Sequence, residues 1–547
     1  MIFRTSGGSS REWNPLTLAL LASLWIATLA NWPLWRTLRS LPEGSGTRGL
    51  VFAAGFAAML AALTFVLLSF AAWRRSIKPA TALFLVPAAI GAHFMGSYGI
   101  VIDSTMMTNV LQTNPAEARD LLNLRLLASV GILALLPIVW MWPLRLRQLG
   151  WRAQLGRNLL GLIAACTVVA ALLFALFADL SATMRNHKSV RYLINPLNSF
   201  YALGALARDA TATPKGPPAP IGVGATLAEP PAGSAPPLFL LVIGETARAD
   251  HFALNGYGRP TTPALAGLGV VSFRDVTSCG TNTAASLPCM FSHLGREGYV
   301  ARDRDHENLL DLVQRAGLAV LWLDNQSGCK GLCERVPSAH AEEGAPPALC
   351  SEGECLDEAL LSGLDARLAA LDARRRARGV LLVLHQMGSH GPAYSRRSPP
   401  QRKPFQPECQ TNVLQQCEPQ ALINAYDNSI AYTDHVLAQA IAWLDRQRSA
   451  YRPALLYVSD HGESLGENGL YLHGLPYAVA PREQKHVPMI VWQAQASGAA
   501  LRMDCLANRR DVPLSHDHLF HTVAGALGIR ATEYRPELDA FAPCRAP

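Results

Sequence analysis

Hydrophobic residues are arranged in two different ways along this chain. Up to about residue 200 they form five long runs, at 16–35, 50–73, 79–102, 121–142 and 159–180. Each run is about 20 residues, the length that crosses a hydrocarbon layer roughly 30 Å thick at 1.5 Å per residue. A soluble helix of that length would carry a polar face, yet the run at 50–73 contains no charged residue. Trp13, Trp32, Trp35, Trp73, Trp140, Trp142 and Trp151 fall near the ends of the runs, where amphipathic rings favour a membrane–water interface. From residue 238 onward the pattern changes to short apolar runs alternating with amphipathic stretches. Strands are predicted at 238–243, 319–323, 380–384, 455–458 and 489–492, and helices at 357–373 and 421–443. That alternation predicts a mostly parallel sheet covered by helices on both faces.

Three segments follow. Residues 1–182 form a five-helix transmembrane domain, and 183–237 an interfacial stem and Pro/Ala-rich linker. Residues 238–547 form an α/β domain. The stem carries Arg185, Lys188 and Arg191 beside apolar residues, as an interfacial helix does. From 205 to 237 the composition shifts to Ala, Gly, Thr and Pro, with little to bury.

Charge sharpens the division. The net charge of +7 invites a nucleic-acid reading, but residues 1–200 hold 17 basic and 6 acidic residues, whereas 201–547 hold 31 and 35. The surplus therefore reports membrane topology, and no nucleic-acid partner is expected. Arg4 and Arg11 precede the first run; Arg74, Arg75 and Lys78 follow the second; Arg145, Arg147, Arg152 and Arg157 follow the fourth. Positive-inside bias puts the N-terminus in the cytoplasm, and five crossings export the C-terminal domain. Cysteine usage fits export. Of 11 cysteines only Cys166 lies in a run; the others pair as near neighbours, Cys279 with Cys289, Cys329 with Cys333, Cys350 with Cys355 and Cys409 with Cys417. Cys505 pairs with Cys544 by elimination, and in an oxidising compartment such pairs read as disulfides. A zinc-thiolate site at Cys329 and Cys333 is the competing reading.

In an open parallel sheet, ligands gather beyond the carboxyl ends of the strands. Glu245 follows the first strand, Asp324 to Lys330 the second, His385 to His390 the third, and Asp460-His461 the fourth. Carboxylate and imidazole groups converging on one sheet edge are zinc-type ligands. The segment 278–292 offers hydroxyls beside a glycine at a plausible helix start, where backbone N–H groups stabilise an anion. Read alone, it is equally a disulfide-tied structural turn.

These motifs together resemble the phosphoethanolamine transferases that modify lipid A of Gram-negative bacteria, the family that includes the mobile colistin-resistance enzymes. The resemblance runs over nearly the whole chain and is carried by 244–248 (Gly-Glu-Thr-Ala-Arg), 278–292, 324–331, 385–394, 424–434 and 459–476. It implies an alkaline phosphatase/sulfatase-like exported domain on a five-helix membrane domain, in a multi-pass inner-membrane protein whose catalytic domain is periplasmic; a monomer is expected. It implies phosphatidylethanolamine as donor and lipid A or lipopolysaccharide as acceptor, with diacylglycerol released. On this match Thr281 is the nucleophile, and Glu245, Thr281, Asp460 and His461 hold one zinc ion. His390 and His473 contact substrate phosphate or a second zinc; Ser327 and Lys330 contact the phosphoethanolamine group. Asn109, Thr113 and Glu117 lie near the ethanolamine head group, on one face if their loop is helical, although Pro115 suits a helix start.

A related transferase acting on a core sugar, a periplasmic glucan or a protein shares the donor half of the reaction. A phosphoglycerol transferase of the lipoteichoic-acid type fits poorly with ten exported cysteines. A sulfatase needs a Cys or Ser followed by x-Pro/Ala-x-Arg, absent at Cys279 and Cys289. A non-catalytic sensor would have lost ligands that this chain keeps.

Overall fold

The computed structural model describes residues 12–113, 115–212, 216–229, 233–351, 353–494 and 501–545. Arg4 and Arg11 lie outside them. The chain divides into two compact units, one of 1–107 with 122–207 and one of 108–121 with 208–547.

In the first unit five helices are long and apolar enough to cross a membrane: Pro15–Ser40, Gly46–Phe70, Ile77–Tyr98, Leu124–Met141 and Trp151–Asn186. The first is interrupted by a 3-10 turn at Leu29–Asn31, just before Pro33, which has no N–H to continue the ladder. Buried Asn31 there donates to the carbonyls of Ile26 (2.8 Å) and Asn195 (2.6 Å). The third helix stops at Tyr98, short of the expected 102, because Gly99 turns left-handed at φ 71°. The fifth is longer than its apolar run, 36 residues, or about 54 Å at 1.5 Å per residue. Only 6% of its most apolar window is buried, so this surface requires a non-aqueous surrounding.

The second unit is built on a seven-stranded sheet. Its strands are β1 (Pro237–Gly244), β2 (Val271–Phe273), β3 (Ala319–Asp324), β4 (Ser338–His340), β5 (Val380–His385), β6 (Arg452–Ser459) and β7 (Met489–Gln493), in the order β2-β7-β6-β1-β5-β3-β4. All neighbours are parallel except β7, which runs antiparallel to β6 and β2. The run Leu-Phe-Leu-Leu-Val-Ile in β1 is buried throughout, as a central parallel strand covered on both faces must be. Periodicity predicts neither edge strand, β2 nor β4, because three residues carry almost no periodic signal.

Four helices matter below: α1 (Ser104–Gln112), α2 (Pro115–Leu121), α3 (Thr283–Met290) and α4 (Pro419–Arg446). The expected helix at 421–443 is the inner part of α4. The one expected at 357–373 is broken into Asp357–Leu361, Leu364–Ala370 and Ala373–Arg376. Gly363 is left-handed there at φ 66°, and buried Asp357 turns its carboxylate to the N–H groups of Met387 and Gly388. Among the described residues of the Pro/Ala-rich stretch, the helix after the stem runs to Ala212, Ile221 is buried in the core, and Thr226–Leu227 pairs with Ile529–Arg530.

Candidate active site and metal centre

Strand pairing brings the chemistry together. β6, β1, β5 and β3 are consecutive neighbours, with Ser459 opposite Gly244, Ile243 opposite His385, and His385 opposite Asp324. The residues following these strands therefore emerge side by side. Glu245, Asp460 and His461 are fully buried, and their ligand atoms lie within 4.8 Å of one another. His461 Nε2 is 3.2 Å from Glu245 Oε1 and 3.4 Å from Asp460 Oδ2. Glu245 is admitted this close to the next loop by Gly388, where a Cβ would stand 2.7 Å from the Glu245 carbonyl oxygen. Thr246 takes the left-handed conformation (φ 54°) and points its N–H at Asp460 Oδ1, at 3.3 Å.

Electrostatics make this a cation site. Burial and the charge of Glu245 push the Asp460 carboxyl up to about 7. Burial alone would depress His461, but Asp460 and Glu245 outweigh it and draw the imidazole up to about 10. Glu245 stays below the usual carboxylate range because the hydrogen bond and charge of His461, with His390 and His473, outweigh its own burial. The two carboxylates thus attract positive charge strongly, and Asp460 Oδ2 has no hydrogen-bond donor although it is buried. His461 Nδ1 lies 2.9 Å from the Gly462 carbonyl; a carbonyl only accepts, so Nδ1 keeps its proton and Nε2 is the nitrogen a metal would take by displacing the second proton. Two carboxylates and an oriented imidazole fit a zinc-type ion.

The hydroxyl of this cluster belongs to Thr283, and the expectation for Thr281 is corrected. Thr283 is the first residue of α3, with Asn282 capping the helix by accepting from Ala285 N at 2.9 Å. Its Oγ1 lies 3.0 and 3.2 Å from the Glu245 oxygens and 3.4 Å from His461 Nε2. Thr281 is turned away and donates to the Leu475 carbonyl at 2.6 Å, while its own carbonyl accepts from Gly474 N at 2.7 Å. Thr281 therefore fastens the segment that carries His473; Thr283 faces the donors. The Cys279–Cys289 bridge closes α3, and Ser286 Oγ donates to the Asp460 carbonyl, tying the helix to the ligand loop. Buried His516 accepts from Cys279 N at 3.0 Å and donates to the Ser459 carbonyl at 2.9 Å.

The remaining residues of interest surround the cluster. The His473 ring centroid is 4.4 Å from that of His461 and 5.5 Å from that of His390, and its Nδ1 is held by Glu463 at 2.7 Å. His390 Nε2 lies 3.2 Å from Glu117 Oε1; burial opposes its charge, but Glu117 outweighs burial and raises it to about 9. Lys330 Nζ donates to the Ser327 hydroxyl at 2.7 Å. Burial lowers Lys330, while Glu117, Glu245, Asp324 and Asp460 pull the other way, which places it in the field of the cluster. Thr113 donates to the Asn109 carbonyl at 2.9 Å across the end of α1. Glu117 sits on α2, so the three residues do not share one helix; Pro115 opens the second helix. Gln326, which donates to Glu245 at 2.9 Å, and the His385–Asp324 pair at 2.8 Å were not singled out one by one; their place just after strands was the available signal. The other cysteines pair as Cys329–Cys333, Cys350–Cys355, Cys409–Cys417 and Cys505–Cys544, and Cys166 is free. At Cys329 and Cys333 this leaves no thiolate pair for a metal.

Comparison with known proteins gives this geometry a family. Residues 237–529 match the sulfatase family model, and residues 60–211 match that of the phosphoethanolamine transferases EptA/EptB. The chain is 38% identical to phosphoethanolamine transferase EptA of Salmonella typhimurium, over 96% of both chains. It is 36% identical to phosphatidylethanolamine transferase Mcr-1 of Escherichia coli, over 98% of this chain and 99% of that one. The integral membrane lipooligosaccharide phosphoethanolamine transferase EptA of Neisseria meningitidis superposes with a TM-score of 0.92 at 35% identity, covering 97% of this chain and 99% of that one. With five membrane-length helices, a sulfatase-type sheet and near-complete coverage of these relatives, the chain belongs to the lipid A phosphoethanolamine transferase family.

Proposed function

We propose that this protein transfers phosphoethanolamine from phosphatidylethanolamine to a phosphate of lipid A through a covalent intermediate on Thr283. The observation that carries the reading is the Thr283 hydroxyl at the start of α3, 3.0 Å from Glu245 and 3.4 Å from His461. Glu245, Asp460, His461 and Thr283 would hold one zinc ion, which when bound lowers the pKa of the hydroxyl and offsets charge on phosphoryl oxygens. Thr283 Oγ1 attacks phosphorus as its proton is lost to solvent, and the bond from phosphorus to the diacylglycerol oxygen breaks. His473, aimed by Glu463, donates a proton to that leaving oxygen. His390 and Lys330 set positive charge beside the phosphoryl oxygens, and Ser327 orients Lys330. Glu117 faces the ethanolamine ammonium, with Asn109 and Thr113 at the edge of that subsite. A lipid A phosphate oxygen then attacks the phosphorus of the phosphodiester on Thr283, the bond from phosphorus to Oγ1 breaks, and Oγ1 takes a proton back from solvent.

The names of the relatives support phosphatidylethanolamine as donor and a lipooligosaccharide as acceptor. We place residues 1–182 in the inner membrane of a Gram-negative cell, 183–237 as the connecting stem, and 238–547 in the periplasm, where five disulfides would persist. Capping a lipid A phosphate with this zwitterionic group, whose ammonium offsets phosphate charge, lowers the net negative charge that attracts cationic polymyxins, so reduced colistin susceptibility follows. The second reading is the same donor chemistry with a core sugar as acceptor.

Expression in a polymyxin-sensitive Gram-negative host, read by mass spectrometry of lipid A, tests the reading. Wild type adds one phosphoethanolamine; Thr283→Ala lowers the addition at least about 10³-fold. Thr281→Ala, which loses a fastening hydrogen bond, costs about tenfold or less. Modified lipid A from Thr283→Ala would return the nucleophile to Thr281 or elsewhere, and a modified core sugar with unmodified lipid A would favour the second reading.

A further inference from the structure

We propose that Arg397 is a positioning residue, a buried fork that fastens α2 to the backbone of His390 and so sets Glu117 against that histidine. The proposal rests on the reading of Glu117 and His390 as the ethanolamine and phosphate subsite.

A seven-residue helix such as α2 has too few internal hydrogen bonds to hold its own position. Its placement comes from Asp120, which is buried. Asp120 Oδ1 accepts from Arg396 Nη1 at 2.9 Å, Oδ2 from Arg397 Nη2 at 3.1 Å, and its carbonyl from Asn412 Nδ2 at 2.9 Å. The Arg397 side chain is only 3% exposed. Its other nitrogens are spent on two further acceptors: Nε on the His390 carbonyl at 2.8 Å and Nη1 on Glu354 at 2.9 Å. One planar group thus binds Asp120 on α2 and the main chain of the histidine that Glu117 faces. Glu117 precedes Asp120 by three residues, one helical turn, so holding Asp120 holds Glu117. A lysine could supply the charge but not three donors in fixed directions.

A buried ion cluster can also be merely structural, so the test must separate placement from stability. Full-length protein in vesicles of phosphatidylethanolamine and phosphatidylglycerol, with lipid A included at a fixed saturating level as acceptor, would be assayed for kcat and KM of the donor. Asp120→Asn and Arg397→Gln should each raise KM about tenfold or more, consistent with the cost of a misplaced binding group. Arg397→Lys should not restore the wild-type value. In a Glu117→Gln background the added cost of Asp120→Asn should fall below about twofold, because the residue it positions is already disabled. Equal costs in both backgrounds would overturn the proposal in favour of a stability role. Amide exchange across 115–121 should rise about tenfold or more in Arg397→Gln, with metal content unchanged; unchanged exchange would also overturn it. If wild type turns over no phosphatidylethanolamine, the donor reading fails and the exchange measurement alone decides the placement.

Discussion

Two fully buried aspartates, Asp427 and Asp460, stand in the same α/β unit and do opposite things. Asp427, on α4, is satisfied: His251 Nδ1 lies 2.7 Å from one oxygen, and Tyr257 Oη at 2.9 Å and Arg259 Nη1 at 2.5 Å meet the other. Asp460 accepts His461 N at 2.7 Å on one oxygen, but its other oxygen has no donor and faces a second carboxylate. Burial is common to both. What marks a site is the buried carboxylate oxygen left without a hydrogen-bond donor beside a second carboxylate, because that arrangement costs stability unless a cation completes it. The same contrast separates Thr281, whose hydroxyl is bonded to a carbonyl, from Thr283, whose hydroxyl meets only the ligand set.

The contrast can be broken most directly by removing each charge. Asp460→Asn should abolish lipid A modification and metal binding while leaving the melting temperature of metal-free protein unchanged or higher. Asp427→Asn should lower stability by about 3 kcal/mol, the scale for breaking a buried ion pair, yet keep activity per folded molecule. Melting curves beside metal analysis read both, and the reverse assignment would refute the comparison.

Acidity gives the next largest effect. A metal must displace the proton that His461 holds up to about 10, so affinity should rise about tenfold per pH unit between pH 7 and 9. Below about 7, where Asp460 is also protonated, the dependence should steepen. Competition with a chelator at fixed ionic strength measures this, and a flat profile would contradict it. In metal-free protein both groups have raised folded-state values. Their contribution to stability is therefore full at low pH and is lost as pH rises, through about 7 for Asp460 and about 10 for His461. The smallest expected effect is at Glu463. Glu463→Gln should lower kcat about tenfold by loosening His473, with metal content intact; loss of the metal instead would make Glu463 part of the ion site.

Much of the fold was legible from local pattern. Apolar runs of membrane length and all-apolar strands such as 238–243 follow from solvent exclusion alone, so the five spans and the parallel sheet emerge without tertiary information. At 357–373 the periodicity is helical throughout, but Gly363 and the long-range bonds of Asp357 break the helix. β2 and β4 were invisible because their pairing comes from a neighbour distant in the chain.

The residue types that gather beyond the strands are written in local pattern, since strand ends are local features and their side chains are the donors of a metal site. Which hydroxyl serves is not. Thr281 and Thr283 are two residues apart in one motif, and local pattern treats them alike. The choice was made by where α3 begins and by partners far along the chain: Leu475 for Thr281, Glu245 and His461 for Thr283. The placement of Glu117 against His390 was likewise decided by Asp120 and Arg397, residues 277 positions apart. Hydrophobic periodicity records which face of an element is buried; the direction of a polar side chain is set by hydrogen bonds that close only when the chain has folded.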